Sequence, residues 1–248
     1  AFGIFGLNPK PVLILDLGHN ARYAGACKLD RGVTNAALDE VDVIDALGER
    51  LVRDFEKDKT FETRLTRAPG QELAGGCVDR RVSLLSRLEH VQAAAREGRA
   101  VLFVSLHVNS TSAATPDDVL VFTGKGKDAD RNLAGKFAAR TAAKAEARED
   151  DRDLLLLGHE AQTAHAVLLE IGDIANGPAM TQKTYLDRMA SGLASGIRAA
   201  VAGLDGTPAL VVDMESVRDA AKTTPKPPAR KEAKAAFRPV NLAMALRG

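Results

Sequence analysis

The sequence has no tryptophan, and aromatic residues make up only 4% of its 248 positions. This scarcity argues against a module that binds carbohydrate by stacking sugars on aromatic rings. The formal net charge of +1 gives no electrostatic reason to expect a nucleic-acid partner. No stretch approaches the roughly 18 consecutive apolar residues that a membrane helix needs. The composition, 45% hydrophobic and 27% charged, therefore predicts a soluble globular protein without a membrane span.

Cysteine is also scarce, since Cys27 and Cys77 are the two in the chain and both lie in glycine-rich loop sequence. Two free thiols are the simpler interpretation, whereas a disulfide would fit an oxidising compartment. Both alternatives stay open because sequence alone does not set the distance between the two residues. The chain begins with Ala1, and removal of a signal peptide would explain that start.

Three short apolar runs predict strands that are buried on both faces of a covered sheet. Each run leads to a side chain that can bind a metal or carry a proton, namely His19, His107 and Glu170. Ligands of α/β folds bind at the carboxyl ends of such strands. The pattern therefore predicts one site there. The stretches that contain these runs and the side chains at their ends are residues 12–20, 101–109 and 166–172.

Helical periodicity separates these strands, and the alternation predicts an α/β fold. We expect a single domain over residues 1–205, with a central mostly parallel or mixed sheet flanked by helices. From Gly206 the pattern weakens, and three prolines lie among basic residues, so 206–248 reads as a linker or tail of unassigned role. The first predicted helix begins at Asn35. Three further helices are predicted over about 79–96, 129–148 and 181–204.

The chemistry of the site depends on His19, Glu40, His107 and Glu170. Two imidazoles and a carboxylate are a ligand set of catalytic zinc, which keeps its fourth position open for water. A further carboxylate can then carry the proton of that water. The residues alone leave two alternatives open, metal binding or ordinary core packing, because they lie far apart and form no local HExxH motif.

Short motifs in a fixed order give the chain a family resemblance. Residues 14–20 resemble an Asp-Pro-Gly-His-Gly motif, and residues 103–109 are close to Phe-Val-Ser-Ile-His-Ala-Asn. On this basis the chain resembles the zinc-dependent N-acetylmuramoyl-L-alanine amidases of the Amidase_3 family, which cleave peptidoglycan. The other matching pieces are Glu40–Val43, Leu65–Arg67, Arg80 or Arg81, and Val167–Asn176.

The resemblance implies that His19, Glu40 and His107 hold Zn²⁺ at the carboxyl ends of the strands. It also implies that a zinc-bound water attacks the amide between N-acetylmuramic acid and L-alanine, with Glu170 as general acid and base. Since peptidoglycan is extracytoplasmic, a periplasmic or secreted monomer is expected, with any regulatory partner left open. Two alternatives remain: a zinc peptidase cutting the stem peptide, and a catalytically silent wall-binding protein.

Four further residues are candidates for roles around the site. Asp16 is expected either to hydrogen-bond a ligand histidine or to cap its strand. Asn109 is expected either to contact substrate or to hold its own loop through an Asx turn. His165 is a candidate for lining the cleft, with a structural role as its alternative, and Arg67 is the arginine of the family's Leu-Thr-Arg. Residues 124–153 have room for one helix, which predicts an open cleft without an occluding helix.

Overall fold

The computed structural model describes residues 9–24, 27–35, 38–73, 75–110, 115–141, 144–150, 156–157, 164–209, 211 and 214. In chain order the strands are β1 (Val12–Leu17), β2 (Ala21–Tyr23), β3 (Lys28–Asp30), β4 (Thr34–Asn35), β5 (Leu38–Asp39), β6 (Glu62–Leu65), β7 (Val101–Val108), β8 (Asp118–Thr123), β9 (Lys144–Glu149) and β10 (His165–Ile171). The helices are α1 (Glu40–Phe55), α2 (Arg80–Arg96), α3 (Asp128–Arg140), α4 (Gly177–Met180) and α5 (Lys183–Val201).

Within the described residues, six strands form one sheet in the order β6-β1-β7-β10-β8-β9. The first four are parallel to one another, while β8 pairs antiparallel with β10 and parallel with β9. The prediction of an α/β domain with a mixed sheet is therefore confirmed. Two small hairpins, β2–β3 and β4–β5, lie between β1 and α1.

Alternation along the strands builds two cores. Leu13, Leu15 and Leu17 of β1 belong to the larger core, which includes residues of α1, α3 and α5. Val12 and Ile14 point to the other face and pack with residues of α2. That smaller core ends before the strands do. The carboxyl end of the α2-side face is therefore free to carry polar side chains.

Two helix predictions need correction. The predicted helix over 129–148 ends at Arg140, and Lys144–Glu149 is the edge strand β9. In β9 Ala145 and Ala147 pack against the core between charged neighbours, a period-two pattern that an alanine-rich composition conceals. The first helix begins at Glu40 rather than at Asn35. The residues before Glu40 pair as β4 and β5, and Asp39 is the N-cap of the helix.

The cysteines and the tail connect outlying segments to the domain. Cys27 and Cys77 form a disulfide, so the free-thiol interpretation was wrong. Ala209, inside the predicted tail, donates its N–H to the Arg99 carbonyl at 2.9 Å. Residues 215–248 lie outside the described residues, and the boundary at 205 stays a prediction.

None of the described helices combines the length and apolarity needed to cross a membrane.

Candidate metal centre

The site begins where β1 ends, at a tight turn. A Cβ on Gly18 would lie 2.5 Å from the Leu106 carbonyl oxygen and 2.7 Å from the His107 ring, so only glycine fits against β7. The next two residues, His19 and Asn20, have φ values of 57° and 56°. This left-handed backbone is disfavoured for residues other than glycine. The turn that presents His19 therefore needs support from its surroundings.

Two buried arginines supply that support. Arg67 donates from Nε to the Leu17 carbonyl at 2.9 Å and from Nη2 to the Gly18 carbonyl at 3.0 Å. Arg87, 1% exposed, donates to the Leu17 carbonyl at 3.0 Å and to the His19 carbonyl at 2.6 Å. The two guanidinium groups thus bind three consecutive carbonyls of the turn. We call this pair the arginine clamp.

Asp16 forms an ion pair with Arg87 of the clamp, while Arg67 pairs with Asp45 at 2.6 Å. Its carboxylate is fully buried and accepts hydrogen bonds from Arg87, from the Ser105 hydroxyl at 2.6 Å and from the Thr66 hydroxyl at 2.6 Å. Burial disfavours the charged carboxylate, but the Arg87 charge and these hydrogen bonds hold the pKa of Asp16 below its usual value. None of these bonds joins Asp16 to a histidine, so they do not support the first of the two roles predicted for Asp16.

The residue that orients the first histidine is Asp30, on strand β3. Its Oδ2 lies 2.8 Å from His19 Nδ1, which leaves Nε2 facing Glu40 Oε2 at 3.1 Å. Burial disfavours the imidazolium, but hydrogen bonds to Asp30 and Glu40 outweigh it and raise the pKa of His19 to about 9. Burial likewise opposes the Asp30 carboxylate, but the His19 hydrogen bond lowers the pKa of Asp30 to about 2.

Glu40, the first residue of α1, is 2% exposed. Its Oε2 accepts the Val33 N–H at 2.9 Å, and its Oε1 accepts the Val108 N–H at 2.9 Å. Burial disfavours the carboxylate, but hydrogen bonds from His107 and His19 hold the pKa of Glu40 well below its usual range. Backbone donors therefore fix both oxygens of the Glu40 carboxylate.

Three donor atoms converge at this point. His19 Nε2 and His107 Nδ1 are 3.1 Å apart, and each also lies 3.1 Å from a Glu40 oxygen. Neighbouring ligand atoms of a tetrahedral zinc site with bonds of about 2.0 Å lie about 3.3 Å apart. His19 Nε2 faces Oε2 of Glu40 and His107 Nδ1 faces Oε1, so the three side chains meet at spacings close to those between zinc ligands. Two imidazoles and a carboxylate also have the chemistry that zinc prefers.

Glu170 lies beside this cluster. It is the register partner of His107 in the parallel pair β7–β10, where adjacent strands are about 5 Å apart. Its neighbour Leu168 packs with the α2-side core while Leu169 packs with the other core, so Glu170 points to the α2 side. The carboxylate that sequence analysis assigned to proton transfer thus shares a strand end with His107.

Two other predicted site residues lie elsewhere or act locally. His165 begins β10, five residues and roughly 16 Å along the strand from Glu170, where its Nδ1 lies 2.7 Å from Asp130. This position, away from the metal centre and bonded to Asp130, fits the structural alternative predicted for His165. The Asn109 side-chain oxygen accepts the Ser110 N–H at 2.8 Å, which fits its loop-holding alternative.

Asp30 and Arg87 were not predicted as site residues from the sequence. Asp30 lies in a loop-like segment without periodicity, so no pattern distinguished it from a solvated acid. Arg87 had a usable signal, because it lies one residue before Leu88 and four before Val91, on the apolar face of α2. A charged residue within an apolar helical stripe indicates a buried partner.

Fold and cluster together define a class: an α/β protein with a candidate metal centre at the carboxyl edge of its parallel strands. The family model for N-acetylmuramoyl-L-alanine amidase, Amidase_3, matches residues 13–199. The chain belongs to this family, and its enzyme class is N-acetylmuramoyl-L-alanine amidase. No curated protein matches the sequence significantly.

Solved amidase structures share the fold. The CwlD amidase from Clostridioides difficile, in complex with the GerS lipoprotein, is 21% identical, with a TM-score of 0.59 over 78% of this chain and 99% of that chain. The catalytic domain of CwlV from Bacillus (Paenibacillus) polymyxa is 20% identical, with a TM-score of 0.57 over 78% and 99%. Ami1 from Mycobacterium smegmatis is 16% identical, with a TM-score of 0.57 over 78% and 98%.

Proposed function

We propose that the chain hydrolyses the amide between N-acetylmuramic acid and L-alanine in peptidoglycan, using zinc held by His19, Glu40 and His107. The observation that carries this proposal is the convergence of two imidazole nitrogens, 3.1 Å apart, on one carboxylate, with His19 Nε2 3.1 Å from Glu40 Oε2 and His107 Nδ1 3.1 Å from Glu40 Oε1. Zinc bound there would supply a Lewis acid for the scissile carbonyl and a water of lowered pKa. Because peptidoglycan lies outside the cytoplasm, this proposal implies a periplasmic or secreted enzyme.

The residues around the cluster orient the side chains that would hold the metal. Asp30 accepts the Nδ1 proton of His19 and so keeps Nε2 available as a donor atom. The arginine clamp holds the backbone of the same residue, and the backbone donors of Val33 and Val108 hold Glu40. His19 and Glu40 are thus each fixed by contacts outside the cluster, which avoids the cost of ordering them during the reaction.

Glu170 carries the proton in this proposal. Its carboxylate accepts a proton from the attacking water and returns it to the departing amine of L-alanine. The support is its position beside His107, on the side of the sheet where the three donors meet. A carboxylate on the neighbouring strand is close enough to act on a group held at the cluster, directly or through one water.

The first test is the substitution Glu170→Gln, which keeps the shape of the side chain but removes its ability to accept a proton. We expect kcat/KM to fall by about 10²- to 10⁴-fold while zinc affinity changes by less than about 3-fold. Steady-state kinetics on a soluble muropeptide and a zinc titration measure the two quantities. Activity at the wild-type level in the Gln variant would contradict the role of Glu170.

Product analysis separates the reaction from its alternatives. Purified peptidoglycan is digested with the zinc-loaded protein, with chelator as control, and the products are identified by mass spectrometry. The proposal predicts free stem peptides and intact glycan strands, abolished by the chelator. Products cut within the stem would instead indicate a zinc peptidase. Absence of any metal-dependent product would favour a silent wall-binding protein.

A further inference from the structure

The Cys27–Cys77 disulfide joins the two segments of the chain that support His19. Cys27 directly precedes β3, the strand whose last residue, Asp30, bonds His19 Nδ1 at 2.8 Å. Cys77 lies three residues before the start of α2, the helix whose Arg87 donates to the His19 carbonyl at 2.6 Å. The bond thus connects, across 50 residues of sequence, the segment that orients the His19 ring with the segment that holds its backbone.

The β2–β3 hairpin that carries Asp30 is small, with three residues in each strand, and it lies outside the six-stranded sheet. A two-stranded hairpin is only marginally stable by itself in water. Its contacts with the segment before α2 include the Ala24 N–H to the Val78 carbonyl at 2.8 Å and an exposed ion pair of Arg22 with Glu72 at 2.6 Å. Exposed ion pairs contribute little. The disulfide is therefore the strongest tie in this set.

The position of Asp30 decides the direction of the His19 ring. The Asp30 carbonyl accepts the Asn20 N–H at 2.8 Å, and its Oδ1 accepts the Gly32 N–H at 3.0 Å, while Oδ2 bonds the histidine. Hydrogen bonds weaken steeply when their geometry is disturbed. A shift of β3 therefore loosens the ring whose other nitrogen faces Glu40.

The disulfide is open to chemical attack, because Cys77 is exposed and Cys27 is only half-buried. Exposed disulfides are the ones that exchange readily with thiols. A dithiol reductant gives two electrons and two protons to the S–S bond, breaks it into two thiols and is itself oxidised to a disulfide. The tie between the two supports of His19 can thus be removed without any change in sequence.

We infer that the disulfide is a redox-sensitive control of the metal centre: the intact bond holds Asp30 against His19, and its reduction weakens zinc binding. This inference rests on the function proposed above, since it takes zinc as the metal. Disulfides form in oxidising compartments and are rare in the cytosol. A chain in a reducing compartment therefore holds zinc less tightly than the same chain at the cell wall.

A double-mutant cycle tests the route through Asp30. The disulfide is removed by the paired substitution Cys27→Ser and Cys77→Ser, which also removes the thiols that could themselves bind zinc. The pair is combined with Asp30→Ala, and zinc dissociation constants are measured by competition with a chromogenic chelator. The matched control is Arg198→Gln, which removes two ion pairs of α5 with the chain at the end of α1, about 20 Å from Glu40.

We expect the serine pair to weaken zinc binding by about 3- to 30-fold, less than the loss of the Asp30 side chain itself. In the Asp30→Ala background the same pair should change Kd by less than about twofold, because the contact through which the disulfide acts is already gone. Arg198→Gln should also change Kd by less than about twofold. Unchanged affinity in the serine pair, or an equal loss with and without Asp30, would overturn the inference.

Hydrogen exchange of the zinc-free protein gives a second measurement that needs no metal. Residues 27–32 should exchange faster in the serine pair and in wild type reduced with a phosphine, while β7 stays protected. Loss of protection throughout the sheet would show a general stabilising role and overturn the inference. A wild type that binds zinc equally well in both redox states overturns this inference alone, whereas a wild type that binds no zinc overturns the proposed metal centre with it.

Discussion

Two histidine–aspartate pairs of nearly identical geometry lie at opposite ends of the sheet. His19 Nδ1 is 2.8 Å from Asp30 at the carboxyl end, and His165 Nδ1 is 2.7 Å from Asp130 at the amino end. Only the first belongs to a metal-capable cluster among the described residues, because its other nitrogen meets a second histidine and Glu40. A hydrogen-bonded histidine is therefore no sign of a metal site by itself. The convergence of several metal-binding atoms, in contrast, does indicate such a site.

The backbone conformation also distinguishes the two histidines. His165 lies in a regular strand, paired with Leu102 of β7. His19 lies in a left-handed turn, and strained backbone of this kind costs roughly 1–3 kcal/mol unless the surroundings enforce it. The arginine clamp enforces it here. Strain that is held by buried charges is typical of residues whose position matters for function.

The largest difference between the pairs is expected on removing each histidine. His19→Ala should weaken zinc binding by more than the roughly 100-fold that loss of an outer partner costs, because it deletes a donor atom. His165→Ala is the matched control and should change zinc affinity by less than about 2-fold. Competition titration with a chromogenic chelator measures both. Similar losses in the two variants would contradict the comparison.

A smaller difference is expected on neutralising each aspartate. Asp30→Asn keeps the shape of the side chain but removes the charge that orients His19, and should weaken zinc binding by about 10- to 100-fold. Asp130→Asn, made at the other end of the sheet, should leave zinc affinity unchanged. The same chelator titration applies. An Asp30→Asn variant with wild-type affinity would show that the turn alone orients His19.

The smallest expected effect is on the stability of the fold in acid, through Asp16, whose partner Arg87 holds the His19 turn. The folded-state pKa of Asp16 is below its ordinary value of 3.8, so the stability it contributes is present above about pH 4 and is lost as pH falls further. This loss amounts to about 1.4 kcal/mol for each pH unit between the unfolded and folded pKa values. Urea unfolding of the chelated protein between pH 2.5 and 6 measures it.

The matched variant for this measurement is Asp16→Asn. It should be less stable than the wild type at pH 6, because Arg87 is left without its buried partner. Its free energy of unfolding should also vary less with pH in the acid range. An unchanged acid dependence in this variant would assign the effect to other carboxylates.

Periodicity and strand order were enough to predict the α/β class and the strands that carry His107 and Glu170. Apolar runs of this kind are determined locally, by burial on both faces of the sheet. Asp30 and Arg87 could not be found in this way, since they meet the His19 turn only after residues far apart in sequence come together. The edge strand β9 was mistaken for helix because alanine and alternating charges suit both structures.

The position of the bound metal is the central claim of the proposed function. The direct measurement is anomalous diffraction at the zinc edge from crystals of the protein grown with zinc. We predict one strong peak about 2.0–2.2 Å from His19 Nε2, His107 Nδ1 and a Glu40 oxygen. A peak at the His165–Asp130 pair, with none at the three converging donors, would contradict the account.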